Sequence, residues 1–166
     1  VKYGPFQGLS LNRQTWWGKS DLGAQCLGLY EKEILNEIGR QEKGKYQTFI
    51  DIGAADGYYA VGMLLAGIVD EVISFEISDA GRVAISENWD NNGKPGAITV
   101  YGEANHASLA VIPSHVFDDA LVLIDIEGYE FDLLTKEVIK QLQFSEVIIE
   151  IHNWIDDFEN RYAQLL

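Results

Sequence analysis

Asp51, Gly53, Asp56 and Gly57 crowd into one stretch, Thr48-Phe49-Ile50-Asp51-Ile52-Gly53-Ala54-Ala55-Asp56-Gly57, and Glu76 follows 25 residues after Asp51. A glycine-bearing turn after an apolar run, with an acid at the end of the next such run, is a nucleotide-handling half-site of an open α/β sheet. Dinucleotides need Gly-x-Gly-x-x-Gly, because a pyrophosphate must approach bare backbone. Counted from Gly53, the second glycine position is Ala55 and the third is Tyr58. Both would crowd a pyrophosphate, and Asp56 would repel it. The loop suits a ligand with positive charge and no phosphate. S-adenosylmethionine (SAM) is such a ligand, with a sulfonium, an ammonium, a ribose diol and an adenine. Glu76 can accept two hydrogen bonds from a ribose diol. The plain alternative is that the glycines only end a strand and Glu76 is a surface acid. The candidate cofactor contacts on this loop are Asp51, Gly53, Ala54, Asp56, Gly57 and Glu76.

Two further groups could do chemistry. Asp125 and Glu127 stand two residues apart after the apolar run Leu121-Val122-Leu123-Ile124. If the strand persists they point to one side, where they can hold a divalent cation or take a proton from a hydroxyl. Their alternative role is to favour the N-terminal dipole of a following helix, with Glu130 extending the cluster. His152, near the end of another apolar run, is the best general base among His106, His115 and His152. A histidine at a strand end also serves as a packing or hydrogen-bonding residue. Spacing alone identifies no metal set, so Mg²⁺ stands only as an adjunct to SAM.

These residues need a scaffold that brings strand ends together. Apolar runs and turn signals predict strands at 48–53, 71–76, 97–101, 120–126 and 146–152. Helical spacing predicts helices at 27–39, 58–66, 79–90, 130–142 and 155–165, with residues 1–26 irregular. Alternating strands and helices predict a doubly wound, mostly parallel sheet, whose ligand lies beyond the carboxyl ends of the strands. Every predicted strand end carries an acid: Asp51, Glu76, Glu103, Asp125 with Glu127, and Glu150.

The chain has 166 residues, enough for one domain with a core. Its 26 acids and 12 bases give a formal charge of −14. That surface repels nucleic acid and anionic membranes, so neither is an expected partner. Cys26 is the only cysteine, which excludes an intrachain disulfide and a cysteine zinc cluster. It has no basic neighbour to activate it. No run is long enough to span a bilayer and no secretory signal is visible, so the cytoplasm is the expected location. The chain begins at Val1 rather than Met, so residues missing from its start are expected. Trp16 and Trp17 either cap a site or split between core and rim. Tyr30 and Glu31 either reach a cofactor or pack.

The motifs Ile50-Asp51-Ile52-Gly53-Ala54…Gly57-Tyr58-Tyr59, Asp125-Ile126-Glu127-Gly128-Tyr129-Glu130 and Glu150-Ile151-His152 together resemble the FkbM-type family of class I SAM-dependent methyltransferases. The resemblance covers about residues 27–155, and Leu29-Tyr30-Glu31 also fits it. It implies a Rossmann-like methyltransferase fold with strand order 3-2-1-4-5. It also implies methyl transfer to a hydroxyl of a sugar, glycan or secondary metabolite, with SAM as cofactor. Glu103 is implied to accept the adenine amino group, with a solvated loop acid as the alternative. Asp125 and His152, both expected at strand ends on the cofactor side of the sheet, are the candidate catalytic pair, one of them expected to activate the acceptor hydroxyl. Two departures stand out. A lysine common in the family two residues before the signature aspartate is Leu123 here. The chain stops at Leu166, before the class's sixth and seventh strands, so residues 1–166 are expected to form a single domain curtailed at its C-terminus. A non-catalytic SAM-fold scaffold and, less favoured, an NAD-binding oxidoreductase remain as alternatives.

Overall fold

Thr48–Ile52 (β1) is buried at every position, as a strand covered on both faces must be. A computed structural model describes residues 1–165 and places this strand at the centre of a sheet. The other strands are Glu71–Phe75 (β2), Ala97–Tyr101 (β3), Leu121–Ile124 (β4) and Glu146–Ile149 (β5). All neighbours pair in parallel, in the order β3-β2-β1-β4-β5. The expected sheet and its order are thus present. The helices are Leu22–Leu27 (α1), Lys32–Arg40 (α2), Tyr58–Leu65 (α3), Asp79–Asn91 (α4), His106–Leu109 (α5), Glu130–Leu133 (α6), Lys136–Gln141 (α7) and Phe158–Leu165 (α8).

Alternate residues of each strand feed opposite cores. Phe49, Val72, Leu121 and Leu123 pack with α2, α3 and the N-terminal segment. Ile50, Ile52, Ile73, Phe75, Val122 and Ile124 pack with Leu109, Phe117, Leu133 and Val138 on the other face. The outer strands β3 and β5 are less buried than the central three. Helix α3 is apolar all round, which suits a helix covered on every side. Phe6 supplies the outer cover: a Cβ added at Gly62 would lie 2.6 Å from its ring.

Several expected boundaries are corrected. Residues 1–26 are not wholly irregular, because α1 begins within them at Leu22. The helix expected at 27–39 is broken. Gly28 ends α1 in the left-handed conformation, and a Cβ there would lie 2.1 Å from the carbonyl oxygen of Tyr3. Glu31 is left-handed as well, and α2 starts after it. The helix expected at 130–142 is two, parted at Leu134 and Thr135, where the Thr135 hydroxyl caps α7. Strands β4 and β5 stop at Ile124 and Ile149, so Asp125, Glu127 and His152 lie on the loops beyond them.

Candidate active site

The turn after β1 is set by close backbone approach. Gly53 has φ +97°, and a Cβ on it would lie 1.7 Å from the Asp125 carbonyl oxygen. No other residue fits there. The Gly53 and Ala54 amides both donate to the Phe75 carbonyl, at 2.9 and 3.0 Å. The Asp125 amide donates to the Ile52 carbonyl at 2.9 Å. The ends of β1, β2 and β4 are thereby tied together around one cavity of about 650 Å³.

Glu76 is buried at the end of β2 and lines this cavity. Its two oxygens accept from the amides of Ala55, at 2.9 Å, and Ser78, at 2.7 Å. Burial raises its pKa, while these amides work in the other direction. Ala54, Asp56 and Glu103 are also on the cavity wall. Asp56 faces the backbone amides of Trp17 and Trp16, which oppose the upward push of burial on its pKa. Its Oδ1 has no partner. The half-exposed Trp16–Trp17 pair borders the cavity as part of an N-terminal strap beside Asp56.

Asp51 and Gly57 stand differently. Neither is on the cavity wall. Asp51 is buried, with the Ala60 amide in the first turn of α3 beside it, and its Oδ2 has no partner. Burial and then the Asp125 charge push its pKa up to about 8. The expectation that Asp51 lines the loop is corrected: Asp51 lies inside β1, where side chains alternate in direction, and this one turns toward the start of α3 rather than the ligand space. Gly57 caps α3 in the left-handed conformation and abuts Ile85.

The loops after β4 and β5 converge. Burial, then the charges of Glu150 and Glu31, raise the Asp125 pKa to about 7, with His152 opposing. Asp125 and Glu127 line the cavity; His152 does not. His152 is buried behind them, with Nδ1 2.7 Å from Glu130 Oε1. Its Nε2 lies 3.6 Å from Asp125 Oδ1 and 3.9 Å from Glu127 Oε2. Burial pulls the His152 pKa down, but Glu130, Asp125 and Glu127 outweigh it and the net shift is upward. The structure thus brings Asp125 and His152 together, with Asp125 in front and the imidazole behind. Glu127 has φ +57°, so the pair of acids is aligned by a left-handed turn rather than by a continuing strand.

Glu150, which ends the same run as His152, stands 4.0 Å from its Nε2, and Glu130 is a partner that spacing does not reveal. Glu130 is fully buried and accepts from the amides of Ile126 and Gly128 as well as facing His152. Its motif position was visible, but nothing local announces a contact across 22 residues. Tyr30 and Tyr58 form a further wall, packed edge to face at 5.8 Å. Glu31 accepts a 2.6 Å hydrogen bond from the Tyr59 hydroxyl, and burial raises its pKa.

No protein-family model and no curated protein matches the chain. Solved structures do. A Streptococcus pneumoniae protein assigned as a tRNA (m1A22) methyltransferase superposes with TM-score 0.59 and 18% identity, over 81% of this chain and 59% of that one. It has also been crystallised with SAM. The C-terminal domain of precorrin-6Y C5,15-methyltransferase from Rhodobacter capsulatus gives 0.57 and 18%, over 81% and 68%. The precorrin 8W decarboxylase of Methanobacterium thermoautotrophicum gives 0.55 and 17%, over 95% and 76%. The chain adopts the Rossmann-like methyltransferase fold. It spans about six tenths of the length of the first of these proteins. In the methyltransferase fold as it stands here, the cavity lies beyond the carboxyl ends of β1, β2 and β4, where open α/β sheets take their ligands.

Proposed function

We propose that residues 1–166 form a SAM-dependent methyltransferase domain of FkbM type that methylates a hydroxyl of a sugar, glycan or secondary metabolite. The observation that carries this reading is the charge of the cavity wall. Asp56, Glu76, Glu103, Asp125, Glu127 and Asp132 line it, and among the described residues no lysine or arginine does. Such a wall attracts a sulfonium and repels a pyrophosphate or a polynucleotide.

In this reading the ribose diol meets Glu76, the adenine amino group meets Glu103, and the sulfonium end lies toward Asp125. The acceptor oxygen attacks the methyl carbon in line. The carbon–sulfur bond breaks, the sulfur keeps the electron pair as S-adenosylhomocysteine, and the hydroxyl proton passes to Asp125. A carboxylate with a pKa near 7 suits that task, because it is free to accept a proton yet basic enough to hold it. His152, held by Glu130, stands behind Asp125 with Nε2 3.6 Å from Oδ1. Tyr30 and Tyr58 give the site an aromatic wall that excludes water from the transfer.

Calorimetric titration with SAM and with NAD tests the cofactor. SAM should bind and NAD should not; the reverse removes the reading. With an acceptor in hand, Asp125→Asn should lower kcat by about 10²–10⁴-fold and leave SAM affinity nearly unchanged. Undiminished turnover would take the proton-accepting role away from Asp125.

A further inference from the structure

We propose that Asp125, Glu127 and His152 form a binding site for a first-row transition-metal cation of the Mn²⁺ or Zn²⁺ type, opening onto the cavity. The three donor atoms lie within 4.8 Å of one another. They come from two loops tied to neighbouring strands, so the backbone sets their convergence.

The decisive group is the imidazole. His152 is only 4% exposed. Glu130 Oε1 already accepts from the Ile126 and Gly128 amides, so it acts as an acceptor toward His152 too, and Nδ1 carries the hydrogen. In the neutral ring this leaves the Nε2 lone pair facing outward. The groups it meets are carboxylate oxygens: Asp125 Oδ1 at 3.6 Å, Glu127 Oε2 at 3.9 Å and Glu150 Oε1 at 4.0 Å, all beyond hydrogen-bond reach. Asp125 Oδ1 is itself buried and has no hydrogen-bond partner. A ring nitrogen that faces three carboxylate oxygens, one of them buried and without a partner, is a cation site in its electrostatics. No lysine or arginine among the described ion pairs reaches these carboxylates.

The spacing fits coordination. Ligand bonds of about 2.0–2.2 Å put tetrahedral ligand atoms roughly 3.3–3.6 Å apart. The imidazole Nε2 already stands 3.6 and 3.9 Å from the two carboxylate oxygens, and the set as a whole, within 4.8 Å, closes by side-chain rotation of the half-exposed Glu127. A carboxylate or backbone acceptor on the far nitrogen of a ligating histidine is the usual outer support, and Glu130 occupies that place. The imidazole donor turns the preference from Mg²⁺, which takes oxygen ligands, toward Mn²⁺ or Zn²⁺. A second acidic group, Glu31 with Asp125 and Glu150, lies alongside. It has no imidazole, and Glu31 is engaged by Tyr59. Because Asp125 and Glu127 line the cavity, a bound cation presents its open positions to whatever enters. Acidifying a bound acceptor hydroxyl would be its part in catalysis, and that part rests on the methyl-transfer reading; the binding itself does not.

Chelator-stripped full chain should be titrated with MnCl2, ZnCl2 and MgCl2 by calorimetry, and with SAM in parallel. One site for Mn²⁺ or Zn²⁺, with weaker Mg²⁺, is expected. Glu127→Gln, a half-exposed residue whose replacement is mild, should weaken the binding roughly tenfold or more. Zn²⁺ should also move the Nε2 nitrogen-15 resonance of His152 while Nδ1 stays protonated. Binding of neither Mn²⁺ nor Zn²⁺, equal affinity in Glu127→Gln, or a His152 ring that ignores Zn²⁺ overturns the site. Metal binding without SAM binding keeps the site and removes the methyltransferase reading. SAM binding without metal does the opposite.

Discussion

Asp51, inside β1, and Glu76, just past β2, lie on neighbouring strands, yet their surroundings give them different tasks. Glu76 has two backbone amides on its oxygens and a cavity in front of it. Its geometry is therefore fixed before a ribose arrives, which lowers the ordering cost of binding. Glu76→Ala should weaken SAM binding by about 1–3 kcal/mol, read by calorimetry. Unchanged affinity would put the ribose elsewhere. Asp51 has burial and the Asp125 charge against it, and its folded pKa is about 8. An unfolded aspartate titrates near about 3.9. Between those values the folded chain holds a proton that the unfolded chain has lost. The contribution of Asp51 to stability is therefore full below the unfolded pKa and is lost as the pH rises through about 8. Asp125, pushed up to about 7, acts in the same sense. The Tm of the ligand-free protein should fall as the pH rises from about 4 toward about 8 and level off above that. Asp51→Asn should flatten that fall and raise the Tm at about pH 8 by roughly 3–8 °C. A pH profile identical to the wild type would mean that Asp51 is ionised throughout.

At the scale of elements, the β1–α3 turn and the β4 end are one unit. The Gly53 position is strained for any L side chain at φ +97°, and the Asp125 carbonyl blocks a Cβ outright. Gly53→Ala must therefore part β1 from the loop that carries Asp125. It should cost about 3 kcal/mol or more in urea unfolding, well above an ordinary surface change. A cost under about 1 kcal/mol would show that the turn can relax without it. The N-terminal strap is the other element with a structural task. Its Phe6 covers α3 at Gly62, the Lys2 amide donates to the Cys26 carbonyl at 2.8 Å, and Trp16–Trp17 border the cavity. A helix as apolar as α3 would otherwise face water.

Across the whole molecule, the formal charge of −14 agrees in sign with the cavity wall. A tRNA assignment belongs to one of the structural neighbours, and the shared fold does not carry it over. Neutralising phosphates takes clustered lysine and arginine, and the cavity wall has neither. Fluorescence anisotropy with a labelled tRNA should show no salt-sensitive binding below about 10 μM at physiological salt. A submicromolar, salt-sensitive complex would redirect the acceptor from a small molecule or glycan to RNA. No helix among the described residues is long and apolar enough to cross a membrane.

The features legible in the sequence are local ones. The run Thr48–Ile52 and the runs ending at Phe75 and Ile124 are apolar enough to be buried parallel strands, so a parallel sheet follows from the alternation of strands and helices, while its order comes from the family resemblance. Gly53 and Glu76 are marked by their places at strand ends. What depends on contacts between distant segments was not legible. Helix α1 stops at Gly28 because the Tyr3 carbonyl passes there, and no residue near Gly28 records it. Asp51 lies behind the turn rather than on the cavity wall because of the direction its strand position imposes once α3 packs. His152 came into view as a lone histidine. Only the folded loops give it Glu130 on one nitrogen and Asp125 with Glu127 facing the other. Strand and turn patterns are written in neighbouring residues, whereas the electrostatics of a buried ring are set by side chains that meet only when β4 and β5 pair.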